Sequence, residues 1–292
     1  MRAGTVTIAG KPNAGKSTLL NRIVGQKLSI TSAKPQTTRV PVLGIYTEGD
    51  VQMILRDTPG LFDPRTNLER AMRSTALRAL DDADVIAYIT DATDGAPPAL
   101  DVAAHLDRPP RAPVVTVLNK VDLLSAGDVA ALRESAGADA LISAATGDGV
   151  SDLIARLAAA LPEGPFLYPA EDVATQPLRF FAAELIRETA LEQLEEEIPH
   201  SVACEIEEFR EEQRPVYIRA ILYVERESQK RILIGSRGSR IRAIGQASRA
   251  KIEALVDAPV YLDLWVKVLA NWRRDPRALR RFGFAAPEKE QR

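Results

Sequence analysis

The 292-residue sequence predicts an α/β domain with a mostly parallel sheet, followed by a smaller α+β domain. Three observations lead there. From residue 5 to about 160, short apolar runs alternate with longer amphipathic stretches. Between Leu161 and Pro169 three prolines fall within nine residues, a run that resists continuing either a helix or a strand. Beyond that break the order of elements becomes helix, two strands, two helices, strand.

In the first half, Thr5–Ala9, Val51–Leu55, Val85–Thr90, Val114–Leu118 and Ala140–Ile142 read as strands. The stretches 16–24, 66–80, 97–107, 128–135 and 150–160 read as helices between them. Val42–Tyr46, the turn Glu48-Gly49-Asp50 and Val51–Leu55 predict a hairpin, hence one antiparallel edge. In the second half, Arg179–Leu194 is helical by the spacing of Phe181, Leu185, Ile186, Leu191 and Leu194. Val202, Cys204 and Ile206 alternate like a half-buried strand. Val216–Val224 and Val260–Val268 are further strands, Lys230–Ile234 and Arg240–Val256 helices, and a basic helix surrounds Pro276–Phe282. The boundaries so predicted are 1–165 for the first domain, 166–178 for a proline-rich linker and 179–292 for the second domain, with a frayed tail from Ala285.

Composition narrows the function. Apolar residues at 46% and charged residues at 27% suit a chain with real cores. No apolar run approaches the roughly 20 residues of a membrane-spanning helix. The N-terminus lacks a leader-like apolar segment, which predicts a cytoplasmic protein. A single cysteine, Cys204, and two histidines, His105 and His200, give neither a disulfide framework nor a Cys/His zinc site. Cys204 reads as a strand core position, the histidines as surface or packing residues. Met53, Met72, Trp265 and Trp272 read as packing, with base stacking as an alternative for Trp272.

The net charge of −2 conceals blocks of opposite sign. Eleven acidic residues face two arginines between Glu184 and Glu212. Eight basic residues stand against two acidic ones between Arg226 and Glu253, and five arginines against one aspartate between Arg273 and Arg281. A basic cluster in an acidic chain is a local anion-binding footprint, or else a solvated helix face.

Gly10-Lys11-Pro12-Asn13-Ala14-Gly15-Lys16-Ser17-Thr18 contains G-x-x-x-x-G-K-S between a predicted strand and a predicted helix. In that setting the loop wraps until its N–H groups face phosphate oxygens, and the helix adds its positive end. Lys16 would reach the β- and γ-phosphates and the Ser17 hydroxyl would ligate Mg²⁺. Asn119-Lys120-Val121-Asp122 follows an apolar strand. A carboxylate there accepts N1–H and the 2-amino group of guanine, donors that adenine lacks, so GTP and GDP are the expected nucleotides. The Lys120 stem packs over the base, and Asn119 supports the loop. Ser143-Ala144-Ala145 is placed to meet guanine O6 through a backbone N–H. Asp57-Thr58-Pro59-Gly60 ends a strand: Asp57 holds the metal through water, and the Gly60 N–H meets the γ-phosphate. In Pro35-Gln36-Thr37-Thr38-Arg39 one threonine completes the Mg²⁺ shell, Thr38 being favoured and Thr37 the alternative.

These motifs resemble the Ras-like G domain of the translation-factor (TRAFAC) class of P-loop GTPases, the bacterial Era family in particular. The resemblance spans residues 5 to about 160. It departs from the Ras pattern at Leu61, where a water-orienting glutamine would stand, so slow intrinsic turnover is expected. Asn13 matches an asparagine that in related GTPases helps hold a potassium ion beside the phosphates.

In the second domain, Ile234-Gly235-Ser236-Arg237-Gly238-Ser239-Arg240-Ile241 joins two helices through G-x-x-G. It resembles the loop of a type II KH domain, which clamps about four nucleotides of single strand. Lys230, Arg231, Arg237 and Arg240 supply charge, while Ile232, Ile234 and Ile244 offer a floor for bases. One G domain followed by this arrangement resembles the Era family along nearly the whole chain. The resemblance implies binding of the 3′ end of small-subunit (16S) rRNA, a role in assembling the 30S subunit, and peripheral inner-membrane contact. A monomer is expected. Two competing readings are an RNA chaperone without useful turnover and a membrane-associated signalling GTPase. The intact Lys16, Ser17, Thr38 and Asp57 speak against the first, and RNA binding uses the same arginines as the second.

Overall fold

The computed structural model describes residues 1–32, 34, 37–194 and 198–284. Two compact units form, one of Met1–Arg65 with Met72–Thr175, the other of Thr66–Ala71 with Gln176 onward. Pro35, Gln36, the glutamates 195–197, the expected tail 285–292 and the side chain of His200 lie outside the described residues.

The first unit runs β1 (Arg2–Ala9), α1 (Lys16–Val24), β2 (Val42–Glu48), β3 (Val51–Asp57), α2 (Asn67–Asp81), β4 (Val85–Asp91), α3 (Leu100–Ala104), β5 (Val114–Asn119), α4 (Ala126–Ser135), β6 (Ala140–Ile142) and α5 (Val150–Ala160). The sheet order is β2-β3-β1-β4-β5-β6. Pairing is parallel except for the β2–β3 hairpin, where Glu48 faces Val51. Central strands of such a sheet are covered on both faces, and Val85–Ile89 is accordingly an unbroken buried run. Strand order reverses at β1, so the crevice at the carboxyl ends of β1, β4 and β5 is where this architecture binds ligands.

The stretch expected to be a free linker departs from that expectation. Up to Thr175 it belongs to the first unit and covers the exposed β2 edge: the Ile45 N–H donates to the Val173 carbonyl at 2.9 Å, and Gly44 pairs with Ala174. Prolines prevent a continuous ladder, but isolated peptide groups between them still pair. The buried Gln52 secures the strap. Its Oε1 accepts the Leu167 and Tyr168 N–H groups at 2.7 and 3.0 Å, and its Nε2 donates to the Tyr168 carbonyl at 2.8 Å.

The second unit contains α6 (Leu178–Gln193), α7 (Ile198–Ser201), β7 (Ala203–Arg210), β8 (Val216–Val224), α8 (Glu227–Ile234), α9 (Ser239–Val256), β9 (Val260–Val268) and α10 (Pro276–Arg281). β8 is central, antiparallel to β7 and parallel to β9. One face of the sheet packs Ile218, Ala220 and Leu222 against Ala182, Ile186, Leu233, Ile244 and Ile252 of the helices. Cys204 packs partly buried against this core, and burial pushes its thiol pKa up.

Among the residues expected to pack, Met53, Met72 and Trp272 are fully buried. The Trp272 indole N–H donates to the Ser201 carbonyl at 2.8 Å, which removes base stacking as a role. Trp265 is a correction: it is 55% exposed, because odd-numbered residues of β9 project from the face opposite the helices. His105 lies at the surface.

Some charges of the acidic and basic stretches pair inside the unit. Lys251 donates to the buried Glu188 at 2.9 Å and to Glu192, joining α9 to α6. Arg273 grips Glu225 at 2.6 and 2.9 Å, and Arg281 holds Glu205 at 2.6 and 3.0 Å. Two of the five arginines in 273–281 are therefore already committed.

Replacing Gln52 by Leu keeps the volume but strands two N–H groups. A loss of about 1–3 kcal/mol is expected in urea unfolding, with GDP affinity preserved. An unchanged midpoint would show that the strap contributes nothing.

Candidate nucleotide site and nucleic-acid loop

The residues predicted for the nucleotide converge on the carboxyl ends of β1, β3 and β5. Pro12, Asn13, Gly15–Thr18, Thr37, Thr38, Gly60 and Lys120 line a cavity of about 350 Å³. Gly15 adopts φ 100°, and a Cβ there would lie 2.1 Å from Asn119 Nδ2, so neither the conformation nor the space admits a side chain. Asn13 also takes a left-handed conformation, φ 63°. Lys16 is buried. Its Nζ donates to the Gly10 and Lys11 carbonyls at 3.2 and 2.8 Å, the loop's own oxygens surrounding the ammonium. Desolvation brings its pKa down to about 8, against the pull of Asp57.

Three hard oxygens meet beneath the loop. Ser17 Oγ lies 2.9 Å from Thr38 Oγ1 and 2.7 Å from Asp57 Oδ2, and Thr38 Oγ1 donates to the same carboxylate oxygen at 3.0 Å. Asp57 Oδ1 is buried with no hydrogen-bond partner among the described residues. Burial raises the Asp57 pKa, opposed by the Lys16 charge and the hydroxyls of Ser17 and Thr38. Two oxygens bound at right angles to a cation at about 2.1 Å lie about 3.0 Å apart, so this donor set fits Mg²⁺. Of the two candidate threonines, Thr38 Oγ1 takes part in this cluster, and Thr37 Oγ1 donates to the Lys34 carbonyl at 2.7 Å.

Leu61 has no chemical part. Its side chain is buried with Ala9, Leu80 and Tyr88, and its N–H donates to the Gly10 carbonyl at 2.9 Å, anchoring the Gly60 segment on the loop. Asn119 bridges two loops, its Nδ2 donating to the Ala14 carbonyl and its Oδ1 accepting the Ala144 N–H, both at 2.8 Å. The Ala144 N–H is thus engaged by Asn119 instead of facing outward. Lys120 takes φ 70° and its Nζ donates to Asp91 Oδ2 at 2.6 Å. Asp122 is exposed on the short turn Val121–Leu123, beyond the lining of the cavity. Asp91 was not anticipated; the signal lay in Asp91-Ala92-Thr93, where the carboxylate caps its own turn by accepting the Thr93 N–H at 3.0 Å.

In the second unit α8 ends at Gly235 (φ 74°), and Arg237 (φ 49°) and Gly238 (φ 77°) turn the chain into α9. A Cβ at Gly238 would meet nothing closer than 3.9 Å, so its glycine serves conformation, whereas one at Gly235 would press on Arg240 at 2.8 Å. Arg231, Ile232, Ser236, Arg237 and Arg240 are exposed, and Lys230 and Ile234 half-buried. Ile244 is a correction: it is fully buried in the core, so it offers no floor to a base. Arg242 was not anticipated. From one turn into α9 it donates to the Gly238 carbonyl at 3.1 Å and to the Arg237 carbonyl, bracing the loop.

Known proteins agree with this arrangement. The family profile described as "50S ribosome-binding GTPase" matches residues 5–120, and the KH-domain profile matches 197–273. The GTPase Era of Carboxydothermus hydrogenoformans is 43% identical over 291 residues, covering 97% of this chain and 98% of that protein. The chain belongs to the Era family of GTPases. Among solved structures, a tyrosine-to-alanine variant of Aquifex aeolicus Era bound to GDP·AlF4⁻ superposes with a TM-score of 0.91 at 38% identity, over 98% of this chain and 100% of that one. An Era in complex with MgGDPNP and nucleotides 1506–1542 of 16S ribosomal RNA superposes at 0.90, also 38% identical, over 98% and 99% of the two chains. No helix among the described residues is long and apolar enough to cross a membrane.

The lowered Lys16 pKa has a consequence for nucleotide binding by this Era-family site. Below pH 8 the ammonium is already charged. Above about 8 it must take up a proton to meet phosphate, so GDP affinity is expected to fall by up to tenfold per pH unit there. Calorimetry in buffers of different ionisation heat would register the uptake, and an affinity flat to pH 9.5 would contradict it.

Proposed function

We propose that this protein is a GTP-hydrolysing switch that binds the 3′ end of small-subunit rRNA through its KH domain and acts in 30S assembly. The observation that carries the reading is the pairing, in one chain, of the Ser17–Thr38–Asp57 oxygen cluster with the braced loop Gly235–Gly238. The full-length likeness to an Era that holds 16S rRNA together with MgGDPNP supports it.

On this reading Ser17 and Thr38 would hold Mg²⁺, with Asp57 supporting the ion through water. When bound, the ion neutralises charge on the β- and γ-phosphates. Thr38 lies on the loop between α1 and β2, so by helping to hold the ion it would couple the order of that loop to the presence of the γ-phosphate. Lys16 and the backbone of residues 10–18 position the phosphates. Asp122 accepts the base's N1–H and 2-amino hydrogens. With Leu61 held in the core, orientation of the attacking water falls to backbone groups such as the Gly60 N–H, or to a partner, and slow turnover follows. On this reading Asn13, which lines the cavity with φ 63°, is the residue that would hold a potassium ion beside the phosphates. In RNA binding, the Gly235–Gly238 backbone admits the phosphodiester chain while Arg231, Arg237 and Arg240 meet its charge. A cytoplasmic location follows from an rRNA target. Any peripheral membrane contact rests on Arg274, Arg277 and Arg280, since Arg273 and Arg281 are paired.

A single-stranded RNA from the 16S 3′ end, with a scrambled control, tests this at near-physiological salt. Selective binding favoured by a non-hydrolysable GTP analogue over GDP, and weakened about tenfold or more by Gly238→Asp, is the expected result. Equal binding in both nucleotide states would overturn the switch, and absence of selectivity would overturn the RNA target.

A further inference from the structure

The loop after β6 permits a complete account of its backbone donors. The Ser143 N–H donates to the Asp148 carbonyl and the Ala144 N–H to Asn119 Oδ1. The Thr146 N–H donates to Ser143 Oγ, the Gly147 N–H to the Ser143 carbonyl, and the Asp148 N–H to Thr146 Oγ1. Of the amides 143–148, only that of Ala145 lacks a partner among the described residues. The acceptors on either side of it are also held. Arg22, on the α1 helix that begins at Lys16, donates from Nε to the Ala144 carbonyl at 3.1 Å and from Nη2 to the Ala145 carbonyl.

The Ala144 carbonyl and the Ala145 N–H are two ends of one peptide group. A guanidinium on the carbonyl fixes the orientation of that peptide plane and draws electron density through the amide, making the N–H a stronger donor. Arg22 stands six residues along a rigid helix from Lys16, about 9 Å, and so ties the phosphate end of the site to the base end.

We infer that Arg22 is a positioning residue for base selectivity, aiming and polarising the Ala145 N–H toward guanine O6. Its effect runs through the Ala144 and Ala145 carbonyls that it holds. The inference rests on the guanine reading of the site and adds to it the residue through which O6 is read. A planar fork suits two neighbouring carbonyls, whereas a lysine ammonium can hold them only as a point charge.

The experiment compares GDP, 6-thio-GDP and IDP binding by the full chain and by its Arg22→Ala and Arg22→Lys variants. Sulfur at position 6 is a poor acceptor but keeps N1–H and the 2-amino group; IDP keeps O6 but lacks the 2-amino group. The full chain is expected to prefer GDP over 6-thio-GDP by about tenfold. Arg22→Ala is expected to weaken GDP about five- to tenfold and to bring the GDP/6-thio-GDP ratio near one, leaving the GDP/IDP ratio unchanged; Arg22→Lys should fall between. An equal loss for all three nucleotides would mean a merely structural arginine and would overturn the inference, as would an unaltered GDP affinity. If the unsubstituted chain shows no preference for GDP over either analogue, the guanine reading itself fails and the inference with it.

Discussion

The carboxamide of Asn119 is the joint on which the nucleotide site depends. It is 2% exposed, at the end of β5, and spends its donor on the Ala14 carbonyl and its acceptor on the Ala144 N–H. A buried amide with both ends used costs little to desolvate; left half-used it would be a liability. The geometry dictates its neighbours. Gly15 has no room for a side chain because the amide nitrogen occupies that place, and the chain then enters α1 directly, bringing Lys16 and Ser17 under the loop. One hydrogen-bonded group thereby sets the relative positions of the phosphate loop and the base loop, and Arg22 restates that link one and a half turns along α1.

Both units share one backbone device. Each places glycine-assisted, left-handed backbone at the start of a helix, at Gly15 before α1 and at Gly238 before α9. The positive end of a helix favours an anion at such a place. What differs is the bracing. The first loop closes on its own lysine and on Asn119 from another strand. The second is held by Arg242 from the following turn of its own helix, so its carbonyls are tied back and the outer side of the turn stays open.

Charge explains why the second unit can be both acidic in sequence and suited to nucleic acid. Glu188, Glu192, Glu205 and Glu225 are consumed by Lys251, Arg281 and Arg273 inside the unit. These four carboxylates are held away from the loop, around which Arg231, Arg237 and Arg240 stand exposed. These pairs, one of them on the buried Glu188, remove like-charge repulsion from a surface suited to phosphate.

The two-domain division, the strand order's alternation and the phosphate, metal and base motifs were legible in the sequence because each is local: a strand's apolar period, a glycine spacing, a carboxylate after a strand. Everything that required two distant segments to meet was decided by tertiary structure. The hydroxyl of Thr38 reached Asp57, nineteen residues on, only in the folded chain. Asp91 became a lysine partner, and Ala145 the spare donor, only when β4, β5 and the loop after β6 lay side by side. Ile244 and Trp265 were misjudged in opposite directions because apolar character does not say which face of a helix or sheet will be covered. The proline-rich stretch looked like a linker because prolines forbid regular structure, yet a buried glutamine on β3 gave its scattered peptide groups somewhere to bond. Sequence thus determined which chemical groups the protein possesses and which local conformations they adopt; packing alone determined which of those groups are satisfied by one another and which are left for a ligand.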